Sequence, residues 1–507
     1  MDIDSKKLDR WTALLLLILA GAVFSSILFY ARKTGMLCFD DAYITFRYAE
    51  NLALGRGLVF NRGERVFGSS TPFFCLVLAG LRLIGIKTPL AADLLNLLSL
   101  IFSAALVFLV CRQAKDRILG LSAAFLFIFF PYFWRYLPSG METMFAIFLA
   151  LVLVWLDLKE RPVLAGLVAG LLLLTRIDAL ALLAGVALMR FFQNRRQAII
   201  IVSVCLLTLL PWLIFSQVYF HSFLPYSLLA KKLIHPLPAM MVLTKYFLWF
   251  LGFQESGAEY GFTVPVLMAY TFFAIIGAIL AIWKNRWALV FVLWLIFFFA
   301  GMAYGRVGPF PWYKIPMLSG YLVLCALGIQ WLCEVVLRKN PIVSRVLSFI
   351  IIFALILWFC VIALKQGFQG STDKEKANLE IAKMIKTISG PGDKILVGEV
   401  GIIGYELMDY YIIDSAGITS AKVYQIRKRD KESLMIHSSE YKWDWWGTPE
   451  WVKSVLMEYK PEFIASEMKY LHLKTLTHDP EFVSVYQPVA NEHFNKNEVV
   501  LFQRKIP

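Results

Sequence analysis

The stretch Cys-Phe-Asp-Asp-Ala-Tyr-Ile-Thr-Phe-Arg-Tyr-Ala at residues 38–49 follows the first long apolar run of the chain, 11–30. It carries two adjacent acids, Asp40 and Asp41. Two acids are costly beside lipid, so they suggest chemistry at a membrane face. The ordinary alternative is a capped amphipathic helix, with Asp40 as its N-cap residue and Asp41 favouring the helix dipole. Both interpretations predict a helix that begins at the membrane surface.

Composition assigns the chain to a class before any motif does. Of its 507 residues, 59% are hydrophobic and 17% are charged, which is too apolar for a soluble globule of this size. Apolar runs of about twenty residues match a bilayer core about 30 Å thick. Lys and Arg cluster between these runs, where they orient the protein and meet lipid headgroups. The net charge of +14 therefore does not indicate nucleic-acid binding.

The apolar runs predict eleven membrane spans with a cytoplasmic N-terminus, the first of them an uncleaved helix. The predicted spans are 11–30, 90–111, 118–133, 143–157, 162–175, 178–190, 197–216, 263–283, 287–304, 315–337 and 345–365. In this arrangement the basic connectors 112–117, 159–161, 190–196, 284–286 and 338–345 fall on the cytoplasmic side, as the positive-inside rule requires. This agreement predicts a multi-pass protein of the inner (plasma) membrane.

Three short apolar segments, 73–86, 162–175 and 178–190, can be counted as spans in more than one way. Segment 73–86 carries Arg82, and counting it as a span would invert every later connector, so we interpret it as an interfacial helix on the outer face. The pair 162–175 and 178–190 is either two spans or a hairpin that only just reaches the outer surface. The segments then left outside are 31–89, 134–142, 217–262, 305–314 and 366–507, and they hold nearly every distinctive polar motif.

A composition break near residue 366 predicts two domains, 1–365 in the membrane and 366–507 as an extracytoplasmic α/β domain. Helix and strand signals alternate in the second domain, with helices at 371–386 and 450–458 and strands at 394–397, 410–413 and 462–465. Its segment 398–404 has GxxGxxG spacing, which favours tight strand-to-helix packing over dinucleotide binding. The seven cysteines show no metal-binding spacing and are interpreted as small core residues.

The acid pair continues through the glycines of 55–63 to Ser69-Ser70-Thr71-Pro72, and the whole stretch 39–72 resembles the first periplasmic loop of bacterial GT-C glycosyltransferases. The likeness is to the arabinofuranosyltransferase-like and dolichyl-phosphate-mannose-protein mannosyltransferase-like branches, which take a sugar from a polyprenyl-phosphate carrier. The resemblance implies a GT-C fold, that is, a mainly α-helical polytopic membrane protein, here with a C-terminal α/β domain. It favours an enzyme over a merely capped helix.

Transfer from a polyprenyl phosphate requires a base for the acceptor hydroxyl, cations for the departing phosphate and an apolar groove for the isoprenoid. Adjacent helical residues point about 100° apart, so only one acid of the pair is expected to face the acceptor. By resemblance to the family's acidic pair, Asp40 is predicted as the base and Asp41 as an orienting or capping residue. Tyr43 and Arg47 share nearly the same helix face as Asp40 and are predicted to line the site.

Two further motifs lie on predicted outer connectors. Glu142 belongs to a Gly-Met-Glu-Thr stretch that resembles one near the family's reaction centre; alternatively it only caps the next span. Arg176 and Asp178 place opposite charges at the tip of an apolar hairpin, where the family has Arg-Pro-Asp or Arg-Pro-Glu and this chain has Ile177 in the proline position. Arg176 is predicted to face the donor phosphate, with a purely structural ion pair as the alternative.

The remaining candidates are a lysine and the last outer connector. Lys231 matches a family lysine and is predicted to bind the carrier phosphate, with a lipid-facing interfacial lysine as the alternative. Trp312 and Tyr313 resemble a Trp-Tyr-x-x-Pro element; they either stack on a sugar or belong to the interfacial aromatic belt. Arg306 is predicted to add positive charge for the phosphate.

These features predict an enzyme that moves a monosaccharide from a polyprenyl-phosphate donor to a cell-envelope glycan, glycolipid or protein acceptor on the outer face. The rival is a transporter or flippase of lipid-linked glycans, which usually carries ionisable residues at mid-membrane and often shows repeated halves. The predicted partners are the donor, the acceptor and the bilayer, without nucleic acid. Asp40 and Asp41 could hold a divalent cation together with Glu142, but no strong metal-ligand spacing is present, so no cofactor is predicted.

Overall fold

The computed structural model describes residues 3–234, 237–250, 263–306, 308, 310–337, 340–366, 373–437, 448–468, 470–494 and 497–505. Most of the chain up to residue 366 is helical. The helices of this part are α1 (Ile3–Lys33), α2 (Asp40–Ala53), α3 (Pro72–Leu83), α4 (Thr88–Cys111), α5 (Arg117–Ile128), α6 (Pro131–Tyr136), α7 (Thr143–Leu158), α8 (Pro162–Thr175), α9 (Leu180–Gln193), α10 (Arg195–Phe220), α11 (Tyr226–Ile234), α12 (Ala239–Phe250), α13 (Thr263–Trp283), α14 (Leu289–Gly305), α15 (Leu318–Val336) and α16 (Pro341–Gln366).

In the described ranges, seven helices are long and apolar enough to cross a bilayer, namely α1, α4, α10, α13, α14, α15 and α16. The predicted span 118–133 is a bent pair instead of one straight helix. Here α5 ends at Ile128, a new helix begins at Pro131, and the two segments meet at 45°. Proline lacks the N–H that a continuous helix needs, which explains the break. The bent pair brings the count to eight.

The remaining three predicted spans correspond to short helices. α7 has 16 residues, and α8 and α9 have 14 each. At 1.5 Å per residue these helices reach about 21–24 Å, which is less than the roughly 30 Å of a bilayer core. The pair α8–α9 is therefore a short hairpin, and its tip lies at residues 176–179.

Charged contacts define the two ends of the helical bundle. At one end, Asp9 of α1 forms ion pairs with Arg112 and Arg117, each at 3.0 Å. Near the ends of α7 and α9, Asp157 and Arg190 pair at 2.6 Å. Asp9 thus joins the N-terminus to the connector that was predicted to share its side of the membrane. Such pairs satisfy charges that would be costly inside lipid.

The opposite end carries the acid pair of α2. There Arg32, at the end of α1, holds Asp93 of α4 at 2.5 Å, and its guanidinium also donates to the carbonyl oxygen of Pro138. Arg82 of α3 pairs with Glu50 of α2 at 2.7 Å. α3 packs against α2, α4 and α8 at this end. A twelve-residue apolar helix in this place fits the predicted interfacial role of segment 73–86.

The C-terminal part is a small α/β unit. Its elements are α17 (Asp373–Ile388), β1 (Lys394–Val397), α18 (Gly401–Glu406), β2 (Tyr411–Asp414), α19 (Ala421–His437), α20 (Pro449–Tyr459), β3 (Phe463–Glu467), α21 (Leu473–Leu476), α22 (Pro480–Val485), β4 (Tyr486–Phe494) and β5 (Asn497–Arg504). The strands form one sheet in the order β2-β1-β3-β5-β4. The first three strands are parallel, and β5 runs antiparallel to both β3 and β4.

The structure contains each predicted helix and strand of this unit, with boundaries shifted by at most two residues; residues 371 and 372 lie outside the described part. The helices α19, α21 and α22 and the β4–β5 hairpin were not predicted from the sequence. β4 reads Tyr-Gln-Pro-Val-Ala-Asn-Glu-His-Phe, with few of the branched side chains typical of strands and a proline that a central strand excludes. As the outermost strand, β4 tolerates both features because its free edge needs no further pairing.

Topology gives the first testable prediction. A cysteine replacing Lys474, exposed on α21, should react with an impermeant thiol reagent in intact cells, whereas one replacing the exposed Arg196 should react only after lysis. Six native cysteines are buried and Cys360 is partly so, which keeps background labelling low. If Arg196→Cys reacts in intact cells while Lys474→Cys reacts only after lysis, the protein has the opposite orientation in the membrane.

Candidate functional site

The site is built around the start of α2. The helix begins at Asp40, and Phe39 occupies the N-cap position without a capping side chain. The alternative in which Asp40 caps its own helix is therefore wrong. The two acids lie in different environments. Asp40 is buried, with 6% of its surface exposed, whereas the side chain of Asp41 is 34% exposed.

Asp40 faces the C-terminal unit. Its carboxylate oxygens accept hydrogen bonds from the backbone N–H groups of Gly401 and Ile402, at 2.9 Å each. A Cβ at position 401 would lie 1.8 Å from the carbonyl oxygen of Asp40, so only glycine fits there. Burial, followed by the charge of Glu399, raises the pKa of Asp40 to about 7. The GxxGxxG segment thus packs against α2, which its spacing alone did not indicate.

Arg47 also belongs to this contact between the two units. It is fully buried, and its guanidinium donates to the carbonyl oxygens of Phe60, Gly404, Leu407 and Tyr410. It also donates to the side-chain oxygen of Asn61 at 3.3 Å. The expectation that Arg47 lines an open site is wrong, since its buried guanidinium is taken up by these protein acceptors. The reason is that the loop after α2 and the C-terminal unit enclose its side chain from both sides.

Tyr43 is likewise enclosed. Its ring packs edge-on against Phe46 at 5.2 Å and in tilted contact with Tyr405 of α18 at 5.4 Å. The side chain is 8% exposed. Tyr43 therefore lies against the C-terminal unit together with Asp40 and Arg47, and the predicted sharing of one helix face is correct although that face is not open.

Arg47 carries the second testable prediction. Arg47→Met should loosen the docking of the C-terminal unit, because each buried carbonyl left without a donor costs about 1–3 kcal/mol. Faster proteolysis of the C-terminal unit and a lower thermal midpoint measure this change. Arg62→Met is the matched control, since Arg62 pairs with Asp409 at the same contact but is half exposed, and exposed pairs contribute about 0–1 kcal/mol. Equal effects of both substitutions would contradict this account.

Asp41 faces the other way, toward α11. Its carboxylate lies 3.6 Å from the ammonium nitrogen of Lys231. That ammonium also lies 3.5 Å from the Tyr313 hydroxyl oxygen and 4.9–5.6 Å from the ring centroids of Phe310, Trp312 and Tyr313. Burial alone would lower the pKa of Lys231, but its interactions with the Tyr313 hydroxyl and the Asp41 carboxylate outweigh burial and raise this pKa. Lys231 is therefore a charged ammonium within an aromatic wall.

Arg176 lies on the far side of Tyr313. Its guanidinium binds Asp178 through two nitrogens, at 3.0 and 2.9 Å, and Glu142 through a third nitrogen at 2.8 Å. It also lies 5.5 Å from the centroid of the Tyr313 ring. The structural ion pair that was considered for Arg176 and Asp178 is thus present, and Glu142 extends it to a triad. With two acids around one guanidinium, the triad carries a formal charge of −1 when fully ionised.

An apolar groove opens beside this triad. It is lined by residues of α7, α8, α14 and the chain around Pro316, with polar groups only where Arg176, Asp178 and Tyr313 reach it. The full lining is Ala146, Ala150, Leu172, Arg176, Asp178, Ala179, Trp294, Phe298, Tyr313, Pro316 and Met317. Tyr313 therefore joins the groove to Lys231 and Asp41.

The last outer connector places its predicted residues differently. Arg306 ends α14 in a left-handed conformation with an exposed side chain, and its carbonyl oxygen accepts from Leu237 N–H. Trp312 stacks on Phe310 at 5.0 Å, on the same wall as Lys231. The structure does not place Arg306 with the Asp41–Lys231 pair, whereas it does place Trp312 and Tyr313 there.

Two residues near the acid pair were missed in the sequence. Lys374, at the start of α17, binds Glu399 at 2.9 Å, and their charges act on Asp40. Nothing in their local sequence marks them, since they reach α2 only through the fold of the C-terminal unit. Within the described part of the chain, no group of three His, Cys, Asp or Glu side chains is arranged to hold a metal ion.

Solved structures share this architecture. ArnT from Cupriavidus metallidurans in the apo state matches with a TM-score of 0.57 at 13% identity, covering 97% of both chains. The oligosaccharyltransferase of Archaeoglobus fulgidus, tethered to an acceptor peptide, matches with a TM-score of 0.56 at 14% identity, covering 97% of this chain and 75% of that one. The same enzyme with Zn and sulfate matches at 0.51 and 11% identity, covering 90% and 68%.

These identities are low, so the likeness establishes the fold. The chain has the GT-C fold, mainly helical, with a small C-terminal sheet. Residues 366–502 match a family described as a domain of unknown function, DUF8728. No curated protein matches the sequence.

Proposed function

We propose that the chain is a membrane glycosyltransferase that moves a monosaccharide from a polyprenyl-phosphate carrier to a cell-envelope glycan, glycolipid or protein on the outer face. One observation carries the proposal. An acid–lysine pair, Asp41 and Lys231 at 3.6 Å, stands beside the polar end of an apolar groove in a GT-C fold.

Asp41 has the position of the base. In the reaction, the acceptor hydroxyl attacks the anomeric carbon, the bond from that carbon to the phosphate oxygen breaks, and the hydroxyl proton passes to a carboxylate. The departing lipid phosphate is a weak base and needs no general acid. The side chain of Asp41 is partly exposed, whereas both oxygens of Asp40 accept backbone hydrogen bonds. This geometry moves the proposed base from Asp40 to Asp41.

Lys231 has the position of the phosphate ligand. An ammonium held among aromatic rings is only partly hydrated, so a phosphate gains a charge-assisted hydrogen bond there at little extra desolvation. The hydroxyl of Tyr313 offers a second donor beside it. Arg176 is less suited to be the first anion ligand, since Glu142 and Asp178 already surround its charge. Its triad builds the polar end of the groove.

The groove suits the part of an isoprenoid chain next to its phosphate, since its empty volume is about 300 Å³. Its wall of alanine, leucine, tryptophan, phenylalanine and methionine side chains buries apolar surface of a ligand, while the polar groups stand at one end only. A lipid phosphate is likewise apolar along its chain and polar at one terminus. Trp312 and Phe310, which stack beside Lys231, present faces against which a sugar ring packs.

The rival function is that of a transporter or flippase of lipid-linked glycans. A transfer assay in nanodiscs distinguishes the two functions, because nanodiscs have no separate inside and outside between which a substrate could be transported. The purified chain in nanodiscs is incubated with labelled polyprenyl-phosphate monosaccharides and with envelope glycans, glycolipids and peptides as acceptors. The proposed enzyme releases polyprenyl phosphate and labels an acceptor, whereas a transporter leaves every donor intact. If the donor is consumed but the labelled sugar is released free into water and reaches no acceptor, the protein is a hydrolase and not a transferase.

A further inference from the structure

The C-terminal unit contacts both helices that carry the proposed reactive pair. On α2, it binds Asp40, the residue next to Asp41, through the N–H groups of Gly401 and Ile402. On α11, the Lys431 ammonium of α19 donates to the carbonyl oxygen of Leu233 at 2.7 Å. Leu233 lies two residues beyond Lys231. Each reactive residue is thus within two positions of a contact with the same unit.

The start of α11 is held as well. Tyr424 of α19 packs edge-on against Tyr226 at 5.5 Å between ring centroids. The backbone N–H of Tyr226 donates to the carbonyl oxygen of Phe67 at 2.7 Å. α19 therefore contacts α11 near both of its ends, through Tyr226 and Leu233.

α11 depends on such contacts for its position. It has nine residues, and an isolated helix shorter than about 12–15 residues is marginal in water. α18 and α19, which hold α2 and α11, follow the strands β1 and β2, and these two strands pair directly from Lys394 with Tyr411 to Val397 with Asp414. A continuous path of paired strands thus links the two contacts.

We propose that the C-terminal unit is a brace that sets the distance between Asp41 and Lys231, with Lys431 as a positioning residue on the α11 side. The proposal rests on the proposed function of that pair. It gives the C-terminal unit a part in catalysis without contact between Lys431 and the substrate. Misplacing a reactive group by about 1 Å can lower a rate by roughly a hundredfold, so loosening one arm of the brace has a measurable effect.

The test compares Lys431→Met with Lys428→Met in the full chain in nanodiscs. Lys428 lies on the same helix, is about half exposed and pairs only loosely with Glu432 at 3.8 Å, so it is a matched control for charge and length. Transfer from the best donor of the panel is measured together with amide hydrogen exchange over 226–234. We expect Lys431→Met to lose roughly tenfold in transfer rate and to exchange faster over α11. Lys431→Arg, which keeps a donor, should restore both, and Lys428→Met should match wild type.

Each outcome decides between the claims. Faster exchange over α11 with an unchanged transfer rate overturns the brace and leaves the proposed function standing, as does unchanged exchange with Lys431→Met. A tenfold loss of rate accompanied by faster exchange throughout the C-terminal unit shows general unfolding and also overturns the positioning role. A wild-type chain that uses no donor overturns the proposed function itself, while the exchange data still report whether Lys431 holds α11.

Discussion

Asp41→Asn is expected to lower the transfer rate at least about a hundredfold, the usual size of the loss when a general base is removed. The amide has nearly the same shape as the carboxylate but cannot take the acceptor proton. The Asp41 side chain is partly exposed. In the described part of the chain, the backbone hydrogen bonds from Gly401 and Ile402 of the C-terminal unit go to Asp40, so the substitution at position 41 leaves them in place. The rate is measured as polyprenyl-phosphate release at saturating donor, and donor affinity should change much less than the rate.

Asp40→Asn is the matched partner of this experiment. Its amide nitrogen would face one of the two N–H groups that the carboxylate now accepts, so docking of the C-terminal unit should weaken. Protease sensitivity of that unit should therefore rise in Asp40→Asn and stay at the wild-type level in Asp41→Asn. If folded Asp41→Asn turns over within a few-fold of wild type, while Asp40→Asn with an intact C-terminal unit does not, the two roles are the reverse of those proposed.

Lys231→Met should weaken use of the donor by roughly ten- to a hundredfold. A hydrogen bond from a charged group contributes about 1.5–3 kcal/mol, and 1.4 kcal/mol corresponds to a factor of ten. Methionine keeps an unbranched apolar stem against Phe310 and Trp312, so the aromatic wall should persist. The loss is measured as a higher KM for the donor and weaker binding of a polyprenyl phosphate.

Lys232→Met serves as the control because Lys232 follows on the same helix but is exposed. It should leave donor affinity within a few-fold of wild type. Arg176→Lys should affect the donor less than Lys231→Met, since Glu142 and Asp178 already balance the charge at that position. A larger effect of Arg176→Lys in a folded protein would move the phosphate site to the triad.

The membrane part could be predicted well because it depends on local signals. Runs of apolar residues define a helix wherever they occur, and basic connectors fix which ends lie together; the pairing of Asp9 with Arg112 and Arg117 agrees with that reading. The break between α5 and α6 was missed although Pro131 marks it. The short reach of α8 and α9 follows from their length and was considered.

The candidate site could be predicted only in part. Asp41, Lys231 and Tyr313 come together as their motifs indicated, but the roles within the acid pair depend on which way α2 faces. That orientation is set by Gly401, which is 361 residues beyond Asp40 in the chain. Arg47 is a similar case, because its carbonyl partners Gly404, Leu407 and Tyr410 lie in the C-terminal unit. Contacts of such separation leave no periodic or spacing signal in a single sequence.

The central claim is that a lipid phosphate binds beside Lys231 with its chain in the apolar groove and its sugar within reach of Asp41. An electron cryomicroscopy structure of the chain with a non-transferable polyprenyl-phosphate sugar analogue tests it most directly. The account predicts a phosphate oxygen within hydrogen-bonding distance of the Lys231 ammonium and isoprenoid density against Ala146, Trp294 and Phe298. An analogue bound with its phosphate away from Lys231, or with its chain outside this groove, would contradict it.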